Sequence, residues 1–260
     1  MAADCCAACM RITILQTDIS WGQREINARE AERLMAEAPG SQLYVLPEMW
    51  STGFATDPTG MAETDGWSLA WMRRMAERTG AAICGSVAVQ TGEGSREEYR
   101  NRFYFAKPDG SVDFYDKRHL FGYGGEQKHY TAGQTRTVVE YGGIRWLLLV
   151  CYDLRFPVWS RYRGDYDGII YVANWPVPRI AVWDTLLKAR ALENQAVVVG
   201  ANRVGKDPYC DYCGHSAVID AKGRVLAEER TGAVTAVSAE VDAADIVSFR
   251  SKFRVLDDRD

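Results

Sequence analysis

An unbroken apolar run, Leu147-Leu148-Leu149-Val150, ends at Cys151 and passes at once into the polar turn Tyr152-Asp153-Leu154-Arg155-Phe156-Pro157. A short β-compatible run without alternation predicts a fully buried strand. Pro157 suits the first turn of a following helix, where its missing N–H is no loss. Cys151 therefore falls at a strand-to-helix bend. Unpaired backbone N–H groups gather at such a bend and favour negative charge. A thiolate nucleophile gains most in that setting. A small buried hydrophobe is the plainer reading of a lone Cys after a strand, so the rest of the chain has to decide.

The apolar spacing outlines that rest. Strands are expected at residues 11–16, 43–46, 81–90, 102–107, 112–115, 137–141, 144–150, 168–173, 196–201, 216–219, 225–228 and 234–241. Helical spacing appears at residues 27–38, 67–79 and 183–195, the first two closed by Pro39-Gly40 and Gly80. Pro108-Asp109-Gly110-Ser111, Gly142-Gly143 and Asp220-Ala221-Lys222-Gly223 read as hairpin turns. Residues 121–134 form a long Gly-rich polar loop, a length that is usually functional in a compact domain. Hairpins mixed with helical crossovers predict mixed sheets with helices outside.

One composition runs through all 260 residues, with no linker and no repeat. A net charge of −4 disfavours a nucleic-acid or anionic-membrane partner. No run is long and apolar enough to span a membrane, and residues 1–10 lack the basic start of a signal peptide. Seven irregularly spaced cysteines fit a reducing cytoplasm rather than a disulfide framework. Cys5, Cys6 and Cys9 cluster without a second ligand group, so no metal is expected there. Cys210-Asp211-Tyr212-Cys213 is a CxxC without strand–helix redox context and reads as a loop.

Three expected strands end in a reactive side chain: Glu48 after Leu46-Pro47, Lys117 after Tyr115-Asp116, and Cys151 after Val150. Strand ends gathered on one sheet edge make a pocket. Leu46-Pro47-Glu48, Tyr115-Asp116-Lys117-Arg118-His119-Leu120-Phe121 and Val150-Cys151-Tyr152-Asp153-Leu154-Arg155-Phe156-Pro157 resemble, in order, the three signature blocks of the nitrilase, or carbon–nitrogen hydrolase, superfamily. Asn174-Trp175-Pro176, residues 188–195 and Gly214-His215-Ser216 agree, and the resemblance runs from about Ile12 to Val241. The wording of the second and third blocks is similar to the omega-amidase branch.

That resemblance implies an α/β (α+β) fold: a four-layer α-β-β-α sandwich of two mixed sheets with helices outside. The catalytic domain is then residues 11–241, between an N-terminal tail (1–10) and a C-terminal tail (242–260). It implies a homodimer, to which the C-terminal tail is expected to contribute, and no metal or organic cofactor. It also implies a second glutamate after the lysine. Glu126 in Gly124-Gly125-Glu126-Gln127 is the match, with a solvated loop carboxylate as the alternative.

The chemistry of these residues fits acyl transfer. A thiol with an ordinary pKa of about 8.5 is mostly protonated at neutral pH. Glu48 is placed to take that proton as general base. The oxyanion formed by thiolate attack on an amide carbonyl needs donors, the Lys117 ammonium and the N–H of Tyr152. Glu48 then protonates departing ammonia and activates the water that cleaves the thioester.

The omega-amidase branch acts on the terminal amides of 2-oxoglutaramate and 2-oxosuccinamate, so the far carboxylate of such a substrate needs a cation or backbone donors. Arg155 is the first candidate, with a structural salt bridge as its alternative. Phe54, Phe121, Tyr152 and Trp175 are candidates for an apolar wall, or equally for core packing. His119, His129 and His215 are read as structural. Competing readings are another small aliphatic amide as substrate, an acyl-transferring enzyme, a Cys–His hydrolase using His119 or His215, and a dimeric binding module without turnover.

Overall fold

Strand side chains alternate between two destinations, and that alternation builds the layers. The computed structural model describes residues 9–92 and 97–259. Its first half comprises β1 (Cys9–Gln16), α1 (Arg24–Glu37), β2 (Leu43–Val45), α2 (Trp67–Thr79), β3 (Ala82–Thr91), β4 (Glu98–Ala106) and β5 (Val112–Asp116). Ile12, Ile14, Leu43, Val45, Ala82, Cys84, Phe103 and Phe105 face a second sheet. Their neighbours Tyr44, Leu46 and Ile83 face the other way, toward Ala31 and Leu34 of α1 and Trp71 and Met75 of α2.

The second half comprises β6 (Val138–Tyr141), β7 (Ile144–Val150), α3 (Pro157–Ser160), β8 (Gly168–Ala173), α4 (Ile180–Asn194), β9 (Val197–Asn202), β10 (Val204–Lys206), β11 (Asp211–Cys213), β12 (Ser216–Ile219), β13 (Val225–Glu229), β14 (Thr235–Asp242) and α5 (Ala243–Lys252). The sheet orders are β14-β1-β2-β3-β4-β5 and β13-β12-β9-β8-β7-β6, and β10 and β11 form a separate hairpin. Both large sheets are mixed: β1–β2–β3 and β7–β8–β9 run parallel, and their other neighbours pair antiparallel. With helices packed outside, this is the expected four-layer α-β-β-α sandwich.

The apolar run at residues 144–150 is a strand as expected, and β7, β8 and β9 are buried on both faces. Gly168 on β8 is dictated by packing, because a Cβ there would stand 2.3 Å from the Trp146 ring. Boundaries moved where tertiary pairing overrode local signals. β1 begins at Cys9, since Cys9 and Met10 pair with Asp242 and Val241 of β14. β4 begins at Glu98, carried outward by pairing with β3. α1 and α4 each start three residues earlier than their apolar spacing, at Arg24 and Ile180.

The segment after β14 is more ordered than its sparse apolar content suggests. Asp242 caps α5 by accepting from the N–H of Ala244 at 2.8 Å. The segment packs on its own chain. Arg250 donates to the Gln195 and Tyr166 carbonyls and to Asp167, while the Gln195 amide donates to the Phe253 carbonyl. Ile246 and Leu256 are buried, whereas Val247, Phe253 and Val255 are exposed.

Candidate active site

The C-terminal ends of β2, β5, β7 and β8 deliver Glu48, Lys117, Cys151 and Asn174 to one place at the seam of the two sheets. This is the crevice outside strand carboxyl ends where α/β sheets bind ligands. Glu48 and Lys117 arrive from the first sheet. The N–H of Lys117 donates to the Asn101 carbonyl at 3.0 Å, fixing the end of β5 against β4. Met49, just after Glu48, adopts φ +44°, and its N–H donates to Ser86 Oγ at 3.0 Å.

Glu48, Lys117 and Glu126 are fully buried or nearly so. Lys117 Nζ donates to Glu48 Oε1 at 2.9 Å and to Glu126 Oε2 at 2.9 Å. Asn101 Nδ2 bridges the same two carboxylates, reaching Glu48 Oε1 at 2.8 Å and Glu126 Oε1 at 3.2 Å. Glu48 Oε2 accepts from the Asn174 N–H at 2.9 Å, and Glu126 Oε2 from the Phe121 N–H at 2.5 Å. These partners satisfy charges that burial would otherwise penalise. Burial lowers the Lys117 pKa, but the fields of Glu126 and Glu48 outweigh it and hold the ammonium above its ordinary value. Burial pushes the Glu126 carboxyl up, against the pull of Lys117, with Glu48 adding to the rise.

Cys151 opens the 3-10 turn Cys151–Arg155, which runs into α3 with Pro157 at its first position. Its φ is +45°, a left-handed conformation that is strained for a residue with a side chain. The bend alone favours a thiolate, yet the thiol pKa stands well above its ordinary value. Burial is the largest cause, followed by the field of Glu48, which also accepts a hydrogen bond from the thiol; Lys117 opposes the rise. The resting sulfur is therefore held as the neutral thiol beside Glu48.

Asp153 holds the turn. Its Oδ2 accepts from the Val150 N–H at 3.0 Å and Tyr115 Oη at 2.8 Å, and its Oδ1 accepts from the His119 N–H at 2.9 Å. The Nδ1 of His119 lies 2.8 Å from the same Oδ1, and the His119 ring stacks on Phe156 at 3.9 Å. Tyr115 and His119 flank Lys117 in sequence, so one buried carboxylate ties the lysine's strand end to the turn that Cys151 opens.

A family profile described as carbon–nitrogen hydrolase matches residues 11–251. The chain belongs to the carbon–nitrogen hydrolase family. It is 45% identical over 252 residues to omega-amidase YafV of Escherichia coli, covering 96% of this chain and 97% of the relative. To 2-oxoglutaramate amidase of Bacillus subtilis it is 36% identical over 255 residues, covering 95% and 96%. A solved CN-hydrolase superfamily protein of Xanthomonas campestris, carrying an arsenic adduct in its active site, superposes with a TM-score of 0.91 at 40% identity, over 97% of each chain.

In this carbon–nitrogen hydrolase Cys151 lines a cavity of about 370 Å³. Phe54, Phe121, Tyr152, Arg155 and Trp175 all line it too. Arg155 lies over the Trp175 ring at 5.3 Å, and Lys117 Nζ lies 5.1 Å from the Phe54 ring centroid. Glu126 is no solvated loop carboxylate, since it is wholly buried. His119 is engaged with Asp153, and His215 Nδ1 lies 3.0 Å from Asp184.

Sequence reasoning missed Asn101, Asn174 as a partner of Glu48, and Arg179, which also lines the cavity. Asn101 lies inside a strand pattern, with nothing local to mark it. The CxxC was expected in a loop. Cys210 does sit in the tip of the β10–β11 hairpin and lines the cavity, but Cys213 ends β11. Cys5 and Cys6 lie outside the described residues. Among the described residues, no group of three or more His, Cys, Asp or Glu is arranged to hold a metal, and no helix is long and apolar enough to cross a membrane.

Proposed function

We propose that the chain hydrolyses the terminal amide of a small 2-oxo acid amide, 2-oxoglutaramate or 2-oxosuccinamate, to the 2-oxo diacid and ammonia through a thioester on Cys151. The observation that carries this reading is the near full-length kinship to an omega-amidase and a 2-oxoglutaramate amidase, at 45% and 36% identity. The chemistry of the buried cluster supports it.

In this reading Glu48 removes the thiol proton as sulfur adds to the amide carbon. The oxyanion develops beside the Lys117 ammonium and the N–H of Tyr152. Glu48 returns its proton to the nitrogen, ammonia leaves, and the acyl group stays on sulfur. Glu48 next takes a proton from water, whose oxygen attacks the thioester. The acid departs, and Glu48 gives the proton back to sulfur. A thiol of raised pKa suits this cycle, because base and nucleophile exchange one proton without maintaining a separated thiolate. Glu126 and Asn101 keep Lys117 and Glu48 in register, and Glu126 works by orienting Lys117 or by assisting proton transfer.

The test is ammonia release from a panel of small amides, with Cys151→Ala as control. Ranking of 2-oxoglutaramate below or level with butyramide would refute the substrate class. Cys151, Cys210 and Cys213, half-buried and in no disulfide, suit a reducing compartment, the cytoplasm. We further propose a homodimer with the segment after Asp242 at its interface, where Val247 and Phe253 are exposed. Gel filtration of Val247→Glu and Phe253→Glu variants checks this, and an unchanged dimer removes that segment's role.

A further inference from the structure

The cavity wall carries two guanidinium groups and one carboxylate, and the carboxylate is already occupied. Asp207 Oδ1 accepts from the N–H groups of Tyr209 and Cys210, each at 2.7 Å, and its Oδ2 accepts from Tyr212 Oη at 2.6 Å. These bonds hold the β10–β11 hairpin. Arg155 and Arg179 have no such partner. Arg155 lies over Trp175 at 5.3 Å, and Arg179 lies over Phe121 at 5.3 Å. Among the described residues neither guanidinium forms an ion pair or a side-chain hydrogen bond. Both are half-buried on the wall that Cys151 shares. An arginine stacked on an aromatic face keeps its in-plane N–H fork free.

The chain reaches these positions from the catalytic elements themselves. Arg155 closes the 3-10 turn that Cys151 opens. Arg179 closes the 3-10 turn Val177–Arg179, and its carbonyl accepts from Trp175 Nε1 at 2.7 Å. Trp175 follows Asn174, whose N–H is bonded to Glu48. Both cations are thus anchored to the groups that surround the reacting carbon.

We propose that Arg179 is a specificity-determining residue that, with Arg155, clamps the substrate carboxylate remote from the scissile amide. This rests on the 2-oxo acid amide reading above. A carboxylate with an adjacent oxo group offers three coplanar acceptor oxygens, which two guanidinium forks can share. An α-ammonium in place of the oxo group would face two cations, so the same clamp disfavours 2-amino acid amides such as glutamine.

The experiment compares wild type, Arg179→Gln and Arg179→Lys on 2-oxoglutaramate and on butyramide, which lacks the carboxylate. The readout is the ratio of the two kcat/KM values. Loss of a hydrogen-bonded charge partner should lower that ratio about 10- to 100-fold in Arg179→Gln, with Arg179→Lys recovering part of it. A merely structural role would reduce both substrates together and leave the ratio unchanged, which overturns the proposal. A second measurement needs no turnover: alkylation of Cys151 by anionic iodoacetate relative to neutral iodoacetamide should fall in Arg179→Gln, and an unaltered ratio also overturns the clamp. A wild-type enzyme without preference for 2-oxoglutaramate over butyramide refutes the substrate reading instead, so the two failures are distinguishable.

Discussion

Replacing Asp153 by Asn changes one heavy atom and breaks the tie between Lys117 and the Cys151 turn. The buried carboxylate faces the Val150 N–H and Tyr115 Oη on one side, and the His119 N–H and Nδ1 on the other. An amide supplies one acceptor oxygen. If its NH2 turns toward Val150, that backbone N–H loses its acceptor. Tyr115 Oη cannot compensate by accepting, because it already accepts from the Arg118 N–H and Trp159 Nε1, each at 3.0 Å. If the NH2 turns toward His119, the imidazole can switch tautomer, but the His119 N–H is stranded. At least one buried donor is orphaned either way, and two in the first case because the Tyr115 O–H loses the same acceptor as the Val150 N–H, at about 3 kcal/mol. For 260 residues that lowers Tm by roughly 5 °C. The effect on turnover is expected to be larger, since a displacement of about 1 Å at a reacting atom costs about 100-fold. Thermal denaturation and ammonia release from 2-oxoglutaramate, measured on the same preparation, check both figures. A variant within 1 °C of wild-type Tm and within about twofold in kcat would refute the reasoning.

Three further outcomes are expected. Lys117→Met leaves Glu48 and Glu126 facing each other without their cation, so stability should fall by about 3–5 kcal/mol, read by urea denaturation, and ammonia release should vanish. The Cys151 thiol titrates above its ordinary value, so thiolate accumulates only as pH rises; iodoacetamide labelling should climb about tenfold per pH unit from 7 to 9, and a plateau below pH 8 would contradict the raised value. Gly168→Ala drives a Cβ into the rigid Trp146 ring at 2.3 Å; loss of soluble folded protein or a Tm drop of several degrees is expected, by the usual cost of overpacking of about 1–3 kcal/mol.

What the sequence disclosed follows from how local each signal is. The buried strand before Cys151 and the apolar stripe of α4 are written in adjacent or i, i+4 residues. Glu48, Lys117 and Cys151 were visible because each follows an apolar strand at a turn. Asn101 was not, since its meaning lies in Glu48, 53 residues away, and Glu126, 25 away. Arg179 was hidden for a different reason: a basic residue ahead of a helix reads as surface, and only the fold turns its stacked guanidinium toward the sulfur's cavity. Among the described residues the β10–β11 hairpin joins the rest of the strand pairing only through a bridge from Val204 to Asp18 and pairs with no other named strand, so its short stretches had no apolar pattern to betray them.

Glu48 and Lys117 ride on one sheet, and Cys151 and Asn174 on the other. Half a fold is consequently chemically mute. A chain ending after β5 carries Glu48 and Lys117 but neither Cys151 nor the β14 strand that completes their sheet, and a molecule whose layers part by an ångström separates Glu48 from the thiol while every strand stays intact. Turnover in this architecture doubles as a gauge of how tightly its two halves are clasped.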